Sequence, residues 1–237
     1  MVEKYAELIS TQLTLKERLE SDPSLPHGYS VMADVQTAGR GRGDHSWVSV
    51  SGNLHASILI RNLPFQEITW IPHWVSTCVL RALINLGVDG SLIQLKWPND
   101  LWVERTKKIA GILCEKKGDV VVMGIGLNLV NSPDAMINSS LNYGVVPCEG
   151  LKATEVLEKI LEQLSTSISV SEIREFYEQH GLFRKGDHLE WIRDLDKVKI
   201  HGFFEKLGAH GELLVDVDSK IMSLYTEDVR VVKIIKN

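Results

Sequence analysis

Residues 36–47 read QTAGRGRGDHSW, with glycine at 39, 41 and 43 and arginine at 40 and 42 between them. Glycine loses more backbone freedom on ordering than any other residue, so three at alternate positions suit neither a helix nor a strand. They suit a loop whose backbone must come close to something. Arg40 and Arg42 carry planar donor forks that match carboxylate and phosphate oxygens, which makes an anion the expected partner. A solvated loop with charges that serve solubility would have the same composition. The neighbouring sequence has to separate the two.

Immediately upstream, Tyr29 to Val35 alternates as a strand and delivers the chain into this segment. A second strand, Leu54 to Ile60, follows it, which would hold the loop at the rim of a sheet, where sites commonly sit. Further upstream, Ser10 and Thr11 precede a helical pattern that runs to about Leu19 and ends at Asp22 and Pro23. Their hydroxyls either cap the free N–H groups of the first turn or face a bound polar ligand.

Downstream, Trp74, Val75, Cys78, Val79, Ala82, Leu83 and Leu86 recur at helical spacing, with Gly87 just beyond, and read as a core-facing helix. Ile93 to Trp97 reads as a strand entering the turn Pro98-Asn99-Asp100. Turn chemistry accounts for those three residues. It does not account for Lys96 and Asp100 bracketing the turn while Trp97 and Trp102 frame it. Leu101 to Val103 and Ile109 to Cys114 form a predicted hairpin through Glu104 to Lys108, which sets Lys108 at the start of its second strand. Val120 to Val130 is strand-like with Gly124 and Gly126 inside it, and interior glycines weaken a strand unless a backbone or ligand approaches closely. Asn128 follows in the same alternation.

Residues 151–181 hold two helical patterns, the second opened by Ser169 and Glu172 in capping-box spacing and closed by Gly181. From Asp187 the pattern changes to short strands at Val198 to Phe204, Glu212 to Val217, Ile221 to Tyr225 and Val229 to Ile235. The expected organisation is a domain over 1–186 and a small all-β module over 187–237, too small to be very stable unless it packs on the first.

The 237 residues include 26 Lys plus Arg and 31 Asp plus Glu, a formal charge of -5. That balance argues against general binding to nucleic acid or an anionic membrane. Cys78, Cys114 and Cys148 have no paired spacing, so neither a disulfide framework nor a zinc site is expected. Glu3, Lys4 and Glu7 occupy positions where a signal peptide needs apolar residues, and no segment reaches spanning length, so the expectation is a cytoplasmic protein.

Taken together, IST at 9–11, QTAGRGR at 36–42, KWPND at 96–100, KKIAGIL at 107–113 and GIGLN at 124–128 resemble the biotin protein ligase family, in the same order and at fitting separations. The resemblance covers residues 8–130 through these motifs and is fainter over the C-terminal module. It implies an α/β fold of the α+β type: a class II synthetase-like mixed sheet with flanking helices, and a small C-terminal domain similar to an SH3 barrel. The implied activity activates biotin with ATP to biotinyl-5'-adenylate and transfers it to a lysine of a biotin carboxyl carrier protein.

By that resemblance Ser10, Thr11, Gln12 and Gln36 would contact the polar ring of biotin, and Arg40, Gly41 and Arg42 would close over biotin and adenylate. Lys108 would bridge carboxylate and α-phosphate, with Arg42 as its catalytic partner. Trp47, Lys96, Asn99 and Asn128 would border the nucleotide, Asn128 near the adenine, and Asp100 would help to hold Mg²⁺. Many members carry further arginines after this point, whereas this chain has Gly43, Asp44, His45 and Ser46 before Trp47, which bears on how tightly the loop clamps the adenylate. Gln12 stands where asparagine is common.

Some members also bind DNA through an N-terminal helix-turn-helix domain; here nine residues precede Ser10 of the first motif, so no nucleic-acid partner is expected. A homodimer through a sheet edge is what the family suggests. The alternatives are a lipoate ligase or octanoyl transferase of the same fold, or a non-catalytic ligand-binding domain, which would have lost Lys108 or the arginines.

Overall fold

A computed structural model describes residues 1–43, 45–64, 67–132, 142–193, 195–226 and 229–235, without the side chains of 230 and 231. In chain order the strands of the first sheet are β1 (Val2–Leu8), β2 (Ser30–Gln36), β5 (Leu54–Ile60), β6 (Ile93–Lys96), β7 (Asp100–Val103), β8 (Lys107–Lys117) and β9 (Val120–Leu127). The glycine and arginine segment supplies two more, β3 (Gly39–Arg40) and β4 (Ser46–Trp47). Among the described residues the α-helices are α1 (Thr11–Ser21), α2 (Ile71–Asn85), α3 (Ala153–Leu164) and α4 (Val170–His180). The seven strands pair in the order β1-β2-β5-β9-β8-β7-β6. Only β1 against β2 is parallel, so the sheet is mixed as expected.

Alternation along the central strands divides the sheet into two unlike faces. Val121, Met123, Ile125 and Leu127 of β9 and Ala56, Ile58 and Ile60 of β5 join the main core under α2, α3 and α4. On the other face Val120, Val122 and Leu59 pack with Leu15 and Leu19 of α1. Gly124, Gly126 and Ser57 continue the same alternation beyond that smaller cluster, where α1 begins and apolar cover stops. The space left there becomes the site.

The C-terminal strands β10 (His188–Arg193), β11 (Lys199–Leu207), β12 (Leu213–Val217), β13 (Lys220–Leu224) and β14 (Val229–Ile234) form an antiparallel sheet in the order β13-β12-β11-β10-β14. It shares the main core through Leu189, Trp191, Phe204 and Val215. Its Gly208–Gly211 turn docks on the first domain, with Trp70 Nε1 donating to Ala209 O (3.0 Å) and Trp97 Nε1 to Gly211 O (2.8 Å).

Two strands escape the sequence reading. β1 carries Glu3, Lys4 and Glu7 and lies at the edge of its sheet, so its burial pattern is weak. β10 buries Leu189 and Trp191 in a short run that also carries His188, Glu190 and Arg193. The glycine and arginine segment also departs from expectation. Gly39 pairs with Trp47 and Arg40 with Ser46, a short antiparallel ladder, and the missing Cβ of Gly39 makes it possible because that atom would lie 2.6 Å from Trp47 O. Asp44 falls outside the described residues.

Candidate active site

All the sequence-predicted site residues except Asn128 line one cavity of about 280 Å³ on the α1 face of the sheet. Its floor is the surface of β8 and β9, its polar end the start of α1, and its roof the β3–β4 hairpin. Gly126 shows why small residues are needed in the floor: a Cβ there would sit 2.3 Å from Trp47 Cε2, so the indole lies directly on the strand. Gly111 faces the same ring, with a would-be Cβ 3.0 Å from Trp47 Cζ3. The interior glycines of β9 therefore do accommodate close approaches, by the Trp47 side chain of the hairpin at Gly126 and by the Gln12 side chain of α1 at Gly124.

At the polar end Ser10 occupies the N-cap position of α1, but its hydroxyl makes no capping bond. Gln36 does that work from β2: its Oε1 accepts from the Thr11 N–H at 2.9 Å and lies 3.1 Å from Thr11 Oγ1. Behind it, Thr11 Oγ1 lies 2.9 Å from Ser57 Oγ, and Ser57 Oγ donates to Gln12 Oε1 at 2.9 Å. Ser10, Thr11, Gln12 and Ser57 are all buried. Ser10 Oγ and Trp47 Nε1 are buried in the cavity wall without a hydrogen-bond partner. Buried polar groups are nearly always satisfied, so two such atoms in residues that line one cavity mark it as a place where further polar partners are needed.

The opposite end is cationic. The β6–β7 turn, which contains a cis Trp97–Pro98 bond, pairs Lys96 with Asp100 across the hairpin. Lys108 Nζ reaches the same carboxylate at 2.7 Å. Burial lowers the Lys96 pKa, with Asp100 opposing and Lys108 adding to the shift, and its Nζ lies 4.4 Å from the centre of the Trp102 ring. Asn99 exchanges backbone and side-chain bonds with Ile112, which locks the turn onto β8. Arg42 joins the roof to both domains: Nη1 lies 3.5 Å from Asn99 Oδ1 and Nη2 donates to Thr226 O at 3.0 Å. Arg40 stands at the exposed rim.

Asn128 lies outside the cavity lining. Its Nδ2 donates to Gly144 O at 2.9 Å, with Lys108 O at 3.4 Å, and its Oδ1 is buried without a partner. The structure also brings in residues that the sequence did not single out. Ser57 was legible in principle as a polar residue inside the apolar run LHASILI. His45 belongs to the departing part of the loop, and Val229 and Val232 come from the C-terminal sheet. Nothing local marks the two valines for this role.

A mixed sheet that joins a hydrogen-bonding end and a lysine-rich end in one roofed cavity defines a domain suited to a ligand that is polar at one end and anionic at the other. Residues 5–129 match the family described as Biotin/lipoate A/B protein ligase, and the chain belongs to it. Among curated relatives, the biotin--[acetyl-CoA-carboxylase] ligase of Mycobacterium tuberculosis is 30% identical over 166 residues, which are 67% of this chain and 60% of that protein. The bifunctional ligase/repressor BirA of Bacillus subtilis is 34% identical over 134 residues, 54% of this chain and 40% of that protein. The chain thus spans less than two thirds of the length of these two relatives. Among solved structures, the biotin protein ligase from Aquifex aeolicus in complex with biotin and ATP superposes with a TM-score of 0.77 at 26% identity, covering 98% of both chains.

Proposed function

We propose that this protein is an ATP-dependent ligase that activates biotin as biotinyl-5'-adenylate and transfers it to a lysine of a biotin carboxyl carrier protein, the acceptor suggested by relatives described as acetyl-CoA-carboxylase ligases. The observation that carries this reading is the cavity's two ends: a buried chain of hydroxyl and amide groups at one, and Lys96, Lys108 and Arg42 at the other. The Aquifex aeolicus enzyme, similar over nearly its whole length, holds biotin and ATP.

In the first step a carboxylate oxygen of biotin attacks the α-phosphorus. The bond to the bridging oxygen breaks, and its electron pair leaves with pyrophosphate. In the second, the amine of the carrier lysine attacks the acyl carbon, loses a proton and releases AMP. No protein nucleophile is needed. What this chain supplies is charge and exclusion of water: Lys108 draws the carboxylate and α-phosphate together, Arg42 and Arg40 cover the anionic groups, and the Trp47 indole shields the mixed anhydride. Lys96 and Asn99 border the nucleotide, and Asn128 is assigned to the adenine side on family resemblance.

Mg²⁺ would neutralise triphosphate charge when bound. Among the described residues no three His, Cys, Asp or Glu side chains cluster closely enough to hold a metal. Asp100, already paired with Lys108, suits an ion that arrives on the nucleotide and is held through water, since Mg²⁺ on triphosphate takes only one or two carboxylates.

We divide the chain into a catalytic domain over 1–186 and a C-terminal domain over 187–237, and infer a homodimer formed through a sheet edge. No helix among the described residues is long and apolar enough to cross a membrane. The free cysteines and the dependence on ATP support a cytoplasmic setting.

A lipoate ligase is the second reading, and the polar end disfavours it because a dithiolane ring has no N–H to offer. The test is to give the purified protein ATP, Mg²⁺ and either biotin or lipoate and to identify the acyl-adenylate by mass spectrometry. Biotinyl-adenylate is expected; lipoyl-adenylate alone overturns the assignment.

A further inference from the structure

The hydrogen-bond chain at the polar end of the cavity can be traced from an anchor outside the cavity. Gln12 Nε2 donates to Glu115 Oε2 at 2.8 Å and to Val122 O at 3.0 Å. Val122 O can only accept, and so can an ionised carboxylate, so both amide protons of Gln12 are committed and its Oε1 must be the acceptor toward Ser57. Ser57 has one hydroxyl proton, and it goes to Gln12 Oε1. The Ser57 oxygen can then only accept across the 2.9 Å contact with Thr11 Oγ1, unless Thr11 turns its single proton to Gln36 Oε1. In either arrangement the protons of Thr11 and Ser57 are spent inside the protein. What these two hydroxyls have left for a ligand is lone pairs.

We propose that Glu115, held by Lys16, is a positioning residue that fixes the Gln12 amide and thereby sets Thr11 and Ser57 as hydrogen-bond acceptors, selecting a ligand ring that donates N–H groups. This rests on the biotin reading and deepens it, because the ureido ring of biotin has two such donors. It also changes the role of Gln12, whose amide nitrogen and oxygen are both occupied by protein groups. Gln12 acts through Ser57 and does not itself need to touch the ring.

The anchor is built for this. Lys16 Nζ lies 2.7 Å from Glu115 Oε2, and the two side chains are 24% and 31% exposed. Burial pushes the Glu115 carboxyl up, and the bonds from Lys16 and Gln12 more than offset it, so the group stays below its ordinary range and ionised at neutral pH. Alternation on β8 puts Glu115 on the face of Gly111 and Leu113, opposite Val122 of β9. The longer glutamine side chain is matched by a missing one: a Cβ at Gly124 would lie 2.8 Å from Gln12 Oε1.

The test compares Glu115→Leu with Glu115→Gln, two side chains of similar volume of which only the second keeps an oxygen for Gln12. Biotin affinity is measured by calorimetry, with affinity for a non-hydrolysable ATP analogue and the melting temperature as checks on folding. Loss of one acceptor leaves a buried amide N–H unpaired and lets the Gln12 amide turn end for end, so Glu115→Leu should weaken biotin binding about tenfold. Glu115→Gln should stay within about threefold of the unmutated protein. In a Gln12→Ala background the leucine substitution should add nothing further. Leucine binding biotin as tightly as glutamate does, or weakening it equally in the Gln12→Ala background, overturns the positioning role alone. An unmutated protein that binds no biotin overturns the ligase reading and this assignment with it.

Discussion

Lys108 Nζ lies 2.7 Å from Asp100 Oδ1, and each of the two side chains is only 16% exposed. The pair crosses from the second strand of the hairpin to the first, with Lys108 opposite Trp102 and Asp100 opposite Lys96. Asp100 therefore stands between two ammonium groups. An arriving carboxylate or phosphate can take up Lys108 without displacing Lys96, so the cation is held in place before the substrate comes.

Lys108→Ala should accordingly slow adenylate formation by about 2.7 to 4 kcal/mol, the scale found for loss of a donor to transition-state charge. The measurement is biotin-dependent exchange of pyrophosphate into ATP. Arginine is not an equivalent replacement, since its planar fork cannot occupy the position of a compact ammonium group. Exchange by Lys108→Ala at the unmutated rate would remove Lys108 from the mechanism.

Gly126→Ala should impair activity without impairing the fold. In a strand interior alanine is intrinsically favourable over glycine, but here its methyl group would meet the Trp47 ring at 2.3 to 2.8 Å. The ring has to leave, and the roof of the cavity moves with it. The expected result is adenylate synthesis reduced on the order of tenfold with an almost unchanged melting temperature. Combined with Trp47→Ala, the glycine substitution should cost little more, because neighbouring residues that share one contact are non-additive. An equal loss in both backgrounds would show that Gly126 serves something other than Trp47.

How much of this was legible in the sequence follows from the range of each interaction. The β6–β7–β8–β9 meander and its lysines could be read because period-two patterning and short turns are local, and Lys108 falls at the start of its strand as the spacing indicates. Capping of α1 could not: Ser10 and Thr11 are the local candidates, yet the acceptor for the Thr11 N–H is Gln36, 25 positions away and brought there by the pairing of β2 with its neighbours. The contact of Arg42 with Thr226 spans 184 positions. Motif resemblance supplied residue roles where physics gave only residue types, and it is silent on Ser57 and Glu115.

His73 gives a pH dependence of stability whose sign is fixed by its surroundings. Its ring is 2% exposed, near Trp70 and Tyr177, with centroids 5.1 and 4.9 Å away, and against Gly211 of the docked turn. Neither ring nitrogen has a partner in good geometry; the backbone of Thr69 and Gly211 is near enough only to oppose the shift in part. Burial pushes the imidazole down to about 4 from 6.5. Between those values the unfolded chain binds the proton and the folded chain does not, so this contribution is complete above pH 6.5 and is lost as the pH falls toward 4. Its full size is about 3 kcal/mol. His73→Phe should flatten the fall in stability between pH 7 and 5, measured by denaturant unfolding. Some slope will remain, since burial also lowers His55 and His180. An unchanged slope would mean that His73 is already protonated in the folded protein.

From the roof, the Arg42 side chain reaches both the KWPND turn, through Asn99 Oδ1, and the C-terminal domain, through Thr226 O in the turn that follows β13. Beyond it, Gly43 has a left-handed backbone, φ +57, and the sequence continues to Ser46 without another arginine. Arg42→Ala should leave the melting temperature nearly unchanged, because the group is exposed and surface interactions contribute little to folding. Its effect should appear in retention of the intermediate, with biotinyl-adenylate lost on the order of tenfold faster, as expected when hydrogen bonds from a charged group are removed. The measurement is the rate at which hydroxylamine traps adenylate that has left the protein. Equal rates for the two proteins would mean that the Trp47 indole lying on Gly126, and not the bridge from Arg42 to the second domain, keeps the roof closed.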